Sequence, residues 1–569
     1  MMRRGTAWLL FGLTAGVLLA LFVVPLAAVL RGGVFVGGHF TCHYLLGVFL
    51  NPVYAEGLRN SVLIALTTTA LAMLIAVPLA LIASRWEFRG ARLAGTLLLA
   101  PLVLPPFVGA IGFQQLFGAY GALNAALGLG PVDWLGQARF AGVVALQALA
   151  LYPILYLNVI AALANIDPAM EEAAANLGAG PWRRLWRVTL PLAAPGLFAG
   201  GALVFIWSFT ELGTPLMLNY TRCAPVQIFD ALKEVGESPF PHALVLVMLA
   251  ASVLLYSGAH HLFGRRAWAM QGKATTSAAP RRLTGRYAAL AAAPFVIVIT
   301  LAVLPHLAVI LTSVSQPGSW YRSVLPASLT LDHFRSALGS DLALGSLRNS
   351  ACYALLAVAV NIVLGVAIAL VVVRSDLRLR SWLDGLAMLP MAVPGLVMAF
   401  GYLAVSATLS NQLWVKESSF WRELLDVRTN PTLFLAIAYS IRRLPYMVRA
   451  AVAGLRQTSL VFEEAAANLG AGPWRRLRRI TLPLIAANLV AGALLTFAFS
   501  MLEVSDSLIL AQRQDFYPVT KAIYELFQLI GTGKYLAAAL GVWAMALLAL
   551  ALAGSNRLLG KKLGALFRA

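Results

Sequence analysis

Charged residues are scarce in this chain, and their scarcity excludes a water-soluble protein. Of its 569 residues only 12% are Asp, Glu, Lys or Arg, whereas 60% are hydrophobic. So few charges could not cover the surface of a soluble fold. The apolar residues also form runs of about 20, the length that a helix needs to cross a bilayer. We therefore predict an all-α, polytopic membrane protein.

Cysteine is also scarce, and no metal-ligand pattern is present. The three cysteines, Cys42, Cys223 and Cys352, form no CxxC pair, and the seven histidines are scattered. A zinc or redox motif therefore has no support, and no metal ligand is assigned. Cys42 and Cys223 fall in loops that we place on the outer side, where a disulfide and two free thiols are the alternatives.

Motifs for catalysis and for nucleotide binding are absent as well. The sequence contains no HExxH, no GxSxG and no GxxxxGK[ST]. The segment 531–535, GTGKY, lacks the first glycine and the final Ser or Thr of a phosphate-binding loop. We predict that the chain is not an enzyme and binds no cofactor of its own.

The net charge of +20 predicts membrane orientation rather than nucleic-acid binding. The basic residues lie in short loops between apolar runs, without the stacking aromatics of a nucleic-acid groove. Alternate loops are basic, and in a twelve-span arrangement all of them fall on one side with both termini. The positive-inside rule makes that side cytoplasmic.

We predict twelve transmembrane helices. Their approximate bounds are 7–30, 58–83, 93–117, 141–163, 193–216, 243–263, 288–312, 346–373, 382–405, 433–451, 485–510 and 536–556. The first run is longer than the apolar core of a signal peptide and lacks a small-residue cleavage site, so we interpret it as a retained span.

The chain contains an internal duplication. Residues 171–184 read EEAAANLGAGPWRR, and residues 463–476 repeat all fourteen letters 292 positions later. The tetrapeptide LRNS also occurs twice, at 58–61 and 347–350. Six spans per half give both halves the same orientation, as two parallel six-helix repeats. The predicted domains are a first half (1–263), a polar linker (264–287) and a second half (288–569).

Two of the predicted spans contain proline pairs or Pro-Gly. Pro105-Pro106 lies in the third span and Pro394-Gly395 in the ninth. Proline removes a backbone hydrogen bond and kinks a helix. Broken helices often line transport pathways, but membrane helices also tolerate proline, and both interpretations stay open.

The repeated segment predicts a helix–turn–helix on the cytoplasmic face. Residues 171–177 favour a helix, Gly178 and Gly180 break it, and Pro181 can open a second helix that Pro191 ends. Leu177 and Trp182 offer apolar anchors beside arginines, as in a docking interface. An amphipathic helix that only contacts lipid is the alternative.

These segments resemble the EAA loop of ABC-importer permeases. That pattern is Glu-Ala-Ala, three residues, Gly, nine residues, Ile, one residue and Leu-Pro. It falls on Glu172, Ala173, Ala174, Gly178, Val188, Leu190 and Pro191, and again on Glu464, Ala465, Ala466, Gly470, Ile480, Leu482 and Pro483. Val188 in place of Ile is the one departure. The resemblance implies a type I ABC importer permease with EAA loops at 171–191 and 463–483.

The resemblance also implies partners. Each loop would be a coupling helix in the cleft of an ABC ATPase subunit, so two ATPase copies would bind ATP and Mg²⁺. A periplasmic binding protein would deliver the substrate at the bacterial inner membrane, with lipid around the spans and no nucleic acid. The residues expected to contact the ATPase are Glu171, Glu172, Ala173, Ala174, Gly178, Trp182, Glu463, Glu464, Ala465, Ala466, Gly470 and Trp474.

Three acidic residues in apolar runs are candidates for the substrate path. Glu211 and Glu503 are 292 residues apart and are therefore symmetry mates, and Asp506 would share a helical face with Glu503. Acidic side chains inside spans are costly and usually functional. They would suit a cation or ferric iron, which prefers oxygen ligands, and a gate or helix-end hydrogen bond is the alternative.

The substrate prediction draws on a second resemblance. Residues 442–449, RRLPYMVR, look like a segment of ferric-iron permeases, whereas residues 150–153 of the first half, ALYP, lack these arginines. Ferric iron is the leading substrate, with thiamine, a polyamine or a phosphonate as alternatives. The arginines would equally attract an anion. A secondary transporter is the alternative class, although it needs no duplicated docking loop.

Overall fold

The computed structural model describes residues 4–36, 38–102, 105–136, 139–234, 239–259 and 281–559. It is built almost entirely from helices, which confirms the all-α prediction. The helices of the first half are α1 (Arg4–Leu18), α2 (Val24–Val34), α3 (His43–Leu50), α4 (Pro52–Arg85), α5 (Ala91–Leu97), α6 (Pro106–Phe117), α7 (Ala122–Leu127), α8 (Phe140–Ala164), α9 (Pro168–Asn176), α10 (Pro181–Arg184), α11 (Leu190–Phe209), α12 (Gly213–Met217), α13 (Ala224–Asp230) and α14 (Phe240–Ala259).

The second half repeats this order. Its helices are α15 (Gly285–Ser313), α16 (Asp332–Gly339), α17 (Asp341–Arg374), α18 (Arg380–Met388), α19 (Gly395–Ser410), α20 (Leu413–Glu417), α21 (Ser419–Leu425), α22 (Thr432–Gln457), α23 (Val461–Asn468), α24 (Pro473–Arg476), α25 (Leu482–Met501), α26 (Ser505–Leu510), α27 (Val519–Gln528) and α28 (Gly533–Leu559). Two pairs of two-residue strands are present: β1 (Phe35–Val36) with β2 (His39–Phe40), and β3 (Trp86–Glu87) with β4 (Arg281–Arg282).

Within the described residues, eight helical segments are long and apolar enough to span a membrane, and a ninth is a pair bent by 99°. The bent pair joins Arg380–Met391 to Gly395–Ser410, so the break falls at Pro394. The other three predicted spans also fall on helices. The third is divided among α5, a short turn and α6; the sixth is α14, whose apolar part is short; the tenth is α22, which carries several arginines.

The first helix of each half packs against the opposite half. Helices α1 and α2 contact α17, α18 and α19, whereas α15 contacts α4, α5, α6 and α8. The Tyr402 hydroxyl of α19 donates to the Leu21 carbonyl in the first span at 2.8 Å. The two halves are thus interlocked, although the duplication divides them cleanly in sequence.

Two glycines at matching positions make these crossings close. A methyl group on Gly112 would lie 1.9 Å from the Pro305 carbonyl oxygen, and one on Gly401 would lie 2.7 Å from that of Pro25. Helices can approach so closely only where no side chain intervenes.

The structure bears on the predicted linker between the halves and on the possible disulfide. Most of the predicted linker lies outside the described residues, and α15 begins at Gly285 inside it. The half boundaries therefore stay predictions.

The disulfide alternative is wrong: Cys42 is exposed, Cys223 is buried, and both are free.

Replacing Gly112 or Gly401 by alanine should destabilise the fold, because the added methyl group collides with backbone atoms that cannot rotate away. Overpacking of this kind costs about 1–3 kcal/mol. Thermal unfolding in detergent measures the effect. Gly345→Ala is the control, since that glycine of α17 has no neighbour within 4 Å of an added methyl group. Equal melting of Gly112→Ala and the control would contradict the close crossing.

Candidate functional site

The repeated segment adopts the same helix–turn–helix in both halves. Helices α9 and α23 end two residues before a glycine with positive φ: Gly178 has φ of +79° and Gly470 has φ of +80°. In the first copy the Gly178 amide donates to Ala175 and the Ala179 amide to Ala174, both at 2.9 Å. Such paired bonds across a left-handed residue satisfy the last carbonyls of a helix, so glycine is needed here for its backbone conformation.

The first glutamate of each copy faces the protein rather than solvent. Glu171 accepts from Arg85 Nη2 at 2.6 Å and from the Thr189 hydroxyl. Its counterpart Glu463 accepts from Arg374 Nε at 3.2 Å. Arg85 and Arg374 are the last residues of the 34-residue helices α4 and α17. Each loop is therefore fastened to a long membrane helix by a partly or largely buried ion pair.

Sequence reasoning assigned Arg85 and Arg374 only to membrane orientation. Their separation of 289 residues, the offset of the LRNS pair, was the signal for a duplicated role.

The outer face of each loop carries exposed apolar side chains. Leu177 and Leu469 are 88% and 89% exposed, and Trp182 and Trp474 are 73% and 71% exposed. The remaining residues that were predicted to contact the ATPase differ in their exposure to solvent. Glu172, Glu464, Ala173 and Ala465 are exposed, Ala174 is half-buried and Ala466 is buried. Large apolar groups that protrude from a polar loop mark an interaction surface, and each loop presents the same one.

Pro191 does not end the second helix of the loop, so that prediction is wrong. The chain continues without interruption from Pro181 to Phe209, and from Pro473 to Met501 in the second copy. A π-helical turn, Leu185–Thr189, precedes the proline. Its wider hydrogen-bond spacing accommodates the proline ring, which would clash with the carbonyl four residues earlier in a regular helix.

Both halves break after this helix and continue as a short helical segment, residues 213–230 in the first half and 505–528 in the second, which we call the post-break segment. The LRNS motif holds that segment in place. Asn60 Nδ2 donates to the Arg222 carbonyl at 2.9 Å, and the Ser61 hydroxyl accepts from the Ala224 amide at 2.9 Å. In the second half Asn349 Nδ2 donates to the Asp515 carbonyl at 2.9 Å.

Ser350 accepts from the Val519 amide at 2.8 Å, as Ser61 accepts from the Ala224 amide in the first half. The sequence indicated that LRNS is duplicated but not that it binds the backbone of the post-break segment.

Glu211 lies in the first of these breaks. Both of its carboxylate oxygens accept from the Thr214 amide, at 3.0 and 2.9 Å, which caps α12. Gln147 Nε2 donates to the same carboxylate at 3.2 Å. Among the described residues Glu211 forms no ion pair. The helix-end hydrogen bond that was the alternative to a substrate role is therefore present.

Glu503 and Asp506 occupy the second break in a different setting. They do not share a helical face, because α25 ends at Met501 and α26 begins at Ser505. Arg442 Nη1 instead brings them together, at 2.6 Å from Glu503 and 3.3 Å from Asp506. Arg443 Nη2 pairs with the other oxygen of Glu503. Two guanidinium groups thus neutralise both buried carboxylates.

The two halves meet at these breaks. A methyl group on Gly213 would lie 3.0 Å from Val504, next to Glu503. Farther along each post-break segment the rings of Phe229 and Tyr524 meet edge to face at 5.8 Å. Lys521 lies within 6 Å of both rings. No group of three or more His, Cys, Asp or Glu side chains in the described part of the chain could hold a metal ion.

Arg442→Met and Arg443→Met should each destabilise the protein by about 3–5 kcal/mol, because either change leaves a buried carboxylate with too little counter-charge. Arg449→Gln is the control, since Arg449 is half exposed in its ion pair with Asp384, and removing such a pair costs less than removing a buried one, about 0–1 kcal/mol for exposed pairs. Thermal unfolding in detergent compares the three. If all three melt alike, the buried cluster does not stabilise the fold.

Comparisons with known proteins agree with this geometry. A putative ferric transport system permease protein, FbpB 1 of Haemophilus influenzae, is 25% identical over 88% of this chain and 78% of its own length. Two further relatives align with about half of this chain. A probable molybdenum ABC transporter permease protein of Haloferax volcanii is 35% identical over 45% of this chain and 90% of its own length. A putative 2-aminoethylphosphonate transport system permease protein of Salmonella paratyphi A is 30% identical over the same shares.

The half-length relatives fit the internal duplication, because one such protein corresponds to about one half of this chain. The family model for the binding-protein-dependent transport system inner membrane component matches twice, at residues 76–269 and 361–563. Each match contains one copy of the repeated loop and one of the buried acidic breaks. The chain therefore belongs to the family of inner membrane components of binding-protein-dependent transport systems.

Proposed function

We propose that this chain is the permease of an ATP-driven importer and that one ATPase subunit docks on each repeated loop. The identical exposed surfaces, centred on Leu177 with Trp182 and on Leu469 with Trp474, would suit two copies of one partner. ATP and Mg²⁺ would bind to those partners, since the sequence has no phosphate-binding loop. A secondary transporter would need neither surface.

In this proposal the loops and both termini face the cytoplasm. The basic residues close to the loops, such as Arg183 and Arg475, support that orientation by the positive-inside rule. A periplasmic binding protein would then deliver the substrate on the opposite side, where the post-break segments of the two halves meet.

One observation carries the mechanism: the same helix holds the loop at one end and the post-break segment toward the other. Helix α4 pairs with Glu171 through Arg85 and binds the segment after Arg222 through Asn60 and Ser61. A 34-residue helix is about 50 Å long at 1.5 Å per residue. Closure of an ATPase dimer would draw the two loops together, and α4 and α17 would carry that movement to the Phe229–Tyr524 contact.

Ferric iron is the substrate that we propose. Several relatives that align with most of this chain are named ferric transport permeases. Glu211 is the acidic side chain best placed to meet a cation, because Arg442 and Arg443 already neutralise Glu503 and Asp506. Thiamine, a polyamine, a phosphonate or a molybdenum species is the alternative cargo, the last two after the half-length relatives.

Replacing both loop glycines by valine, Gly178→Val with Gly470→Val, should abolish uptake while the protein stays in the membrane. A β-branched residue strongly resists positive φ, so the turn would unwind and the docking surface would lose its shape. Gly180→Val with Gly472→Val is the matched control, because these glycines have ordinary φ values of −63°. Membrane content, ATPase co-purification and uptake are measured together. Normal uptake by the first double variant would remove the coupling role.

Glu211→Gln should lower uptake of radiolabelled ferric iron at least tenfold if the carboxylate meets the cation. The amide oxygen can still accept from the Thr214 amide, so the cap on α12 and the fold are retained. Glu503→Gln is a poorer test because it would leave two buried arginines under-neutralised. Unchanged iron uptake by Glu211→Gln would take that carboxylate out of the substrate path without affecting the docking proposal.

A further inference from the structure

A basic pocket lies beside the first repeated loop, where the chain enters the second half. Strand β3 pairs in parallel with β4, and the Leu283 amide donates to the Glu87 carbonyl at 2.8 Å. This pairing brings Arg282 next to Arg89 and to Arg92 of α5. The three arginines line a cavity of about 480 Å³. Two distant stretches of chain thus supply one site.

The pocket carries more positive charge than its own carboxylate can balance. Glu87 lies 3.4 Å from Arg282 Nε, and it is the acidic side chain in the lining. Arg89 and Arg92 are exposed and form no ion pair with any residue that the structure describes. Guanidinium groups bind phosphate oxygens with paired hydrogen bonds. The unbalanced arginines therefore favour a phosphate group as ligand.

Apolar helix surface adjoins the arginines. Leu93 and Leu97 of α5 are exposed, as is Leu290 of α15, and these two helices pack against each other. A free phosphate would use none of this surface, whereas a phospholipid would cover it with its acyl chains. Basic pockets next to membrane helices bind the headgroups of anionic lipids in this way.

We propose that this pocket binds the phosphate of an anionic phospholipid from the leaflet on the side of the repeated loops. The bound lipid would bridge the β3 loop of the first half and the strand that leads into α15. It would thereby hold β3 of the first half against β4, the strand that leads into the second half. The site is independent of the substrate and of ATPase docking.

Comparison with the matching loop of the second half indicates that the arginines of the pocket do more than set the membrane orientation. Arg378 stands 289 positions after Arg89, yet in the described part of the chain its loop has no counterpart of the β3–β4 pairing. Arg380 there donates to the Ser375 carbonyl at 2.8 Å, and α1 packs against α18. Orientation would require only positive charge in both loops. The pocket requires strand β4 as well, and β4 pairs with the loop of the first half.

Binding of phosphatidylglycerol to the purified full-length chain tests the proposal. Native mass spectrometry of detergent micelles would count bound phosphatidylglycerol against phosphatidylcholine of the same acyl chains. Each arginine near an anionic surface contributes about a factor of 5, so Arg89→Gln should weaken binding about 5-fold and the triple change Arg89→Gln, Arg92→Gln, Arg282→Gln about 100-fold. Arg378→Gln with Arg380→Gln is the control and should leave binding unchanged.

Three results would overturn the proposal. The triple variant could bind the anionic lipid as tightly as the native chain. The control could lose as much affinity as the triple variant, which would indicate a general charge effect. Inorganic phosphate at equal concentration could displace the lipid, which would assign the pocket to a free phosphate. Among the residues that the structure describes Arg89 has no ion-pair partner, so its single variant keeps the test valid even if the triple variant unfolds.

Discussion

Backbone groups that leave a helix inside a membrane protein must find partners within the protein, because hydrocarbon offers none. Much of this molecule follows from that constraint. The breaks after α11 and α25 free amides and carbonyls at mid-protein depth, and buried polar side chains satisfy them. Glu211 caps the Thr214 amide, and Thr520 donates to the Glu503 carbonyl at 2.6 Å. Polar residues near these breaks, such as Glu211 and Thr520, thus form hydrogen bonds with backbone groups that the broken helices leave unpaired.

The same constraint is met differently in the two halves. In the first half a carboxylate, an amide and a hydroxyl form a chain, in which Ser208 donates to Gln147 and Gln147 to Glu211. In the second half Arg442 and Arg443 stand where the first has Ala150 and Leu151. A buried carboxylate without a nearby cation costs less in a hydrogen-bonded break than in bare hydrocarbon. The asymmetry therefore concerns charge rather than backbone, since the LRNS bonds are alike in both halves.

In the proposed mechanism, a movement of the loops would reach the other end of the long helices through direct contacts. The loop is fastened to α4 or α17 by an ion pair, and the helix is fastened to the post-break segment by two hydrogen bonds. The interlocked first helices join the halves, with glycines at the crossings. In the proposed mechanism these contacts would carry a movement of one loop to the rest of the protein, because close-packed interiors transmit strain.

The amino-acid sequence by itself determined the membrane class, the duplication and the position and glycine-ended shape of the loops. These depend on hydropathy, repeated letters and the conformation of single residues, all of which are local. Only the tertiary structure decided that Pro191 lies inside a continuous helix, that the third and ninth spans are broken, and that Arg442 joins Glu503 to Asp506. Arg85 meets Glu171 across 86 residues, and Tyr402 meets Leu21 across 381. Such pairs depend on which helices become neighbours, and a single sequence carries no local signal for that choice.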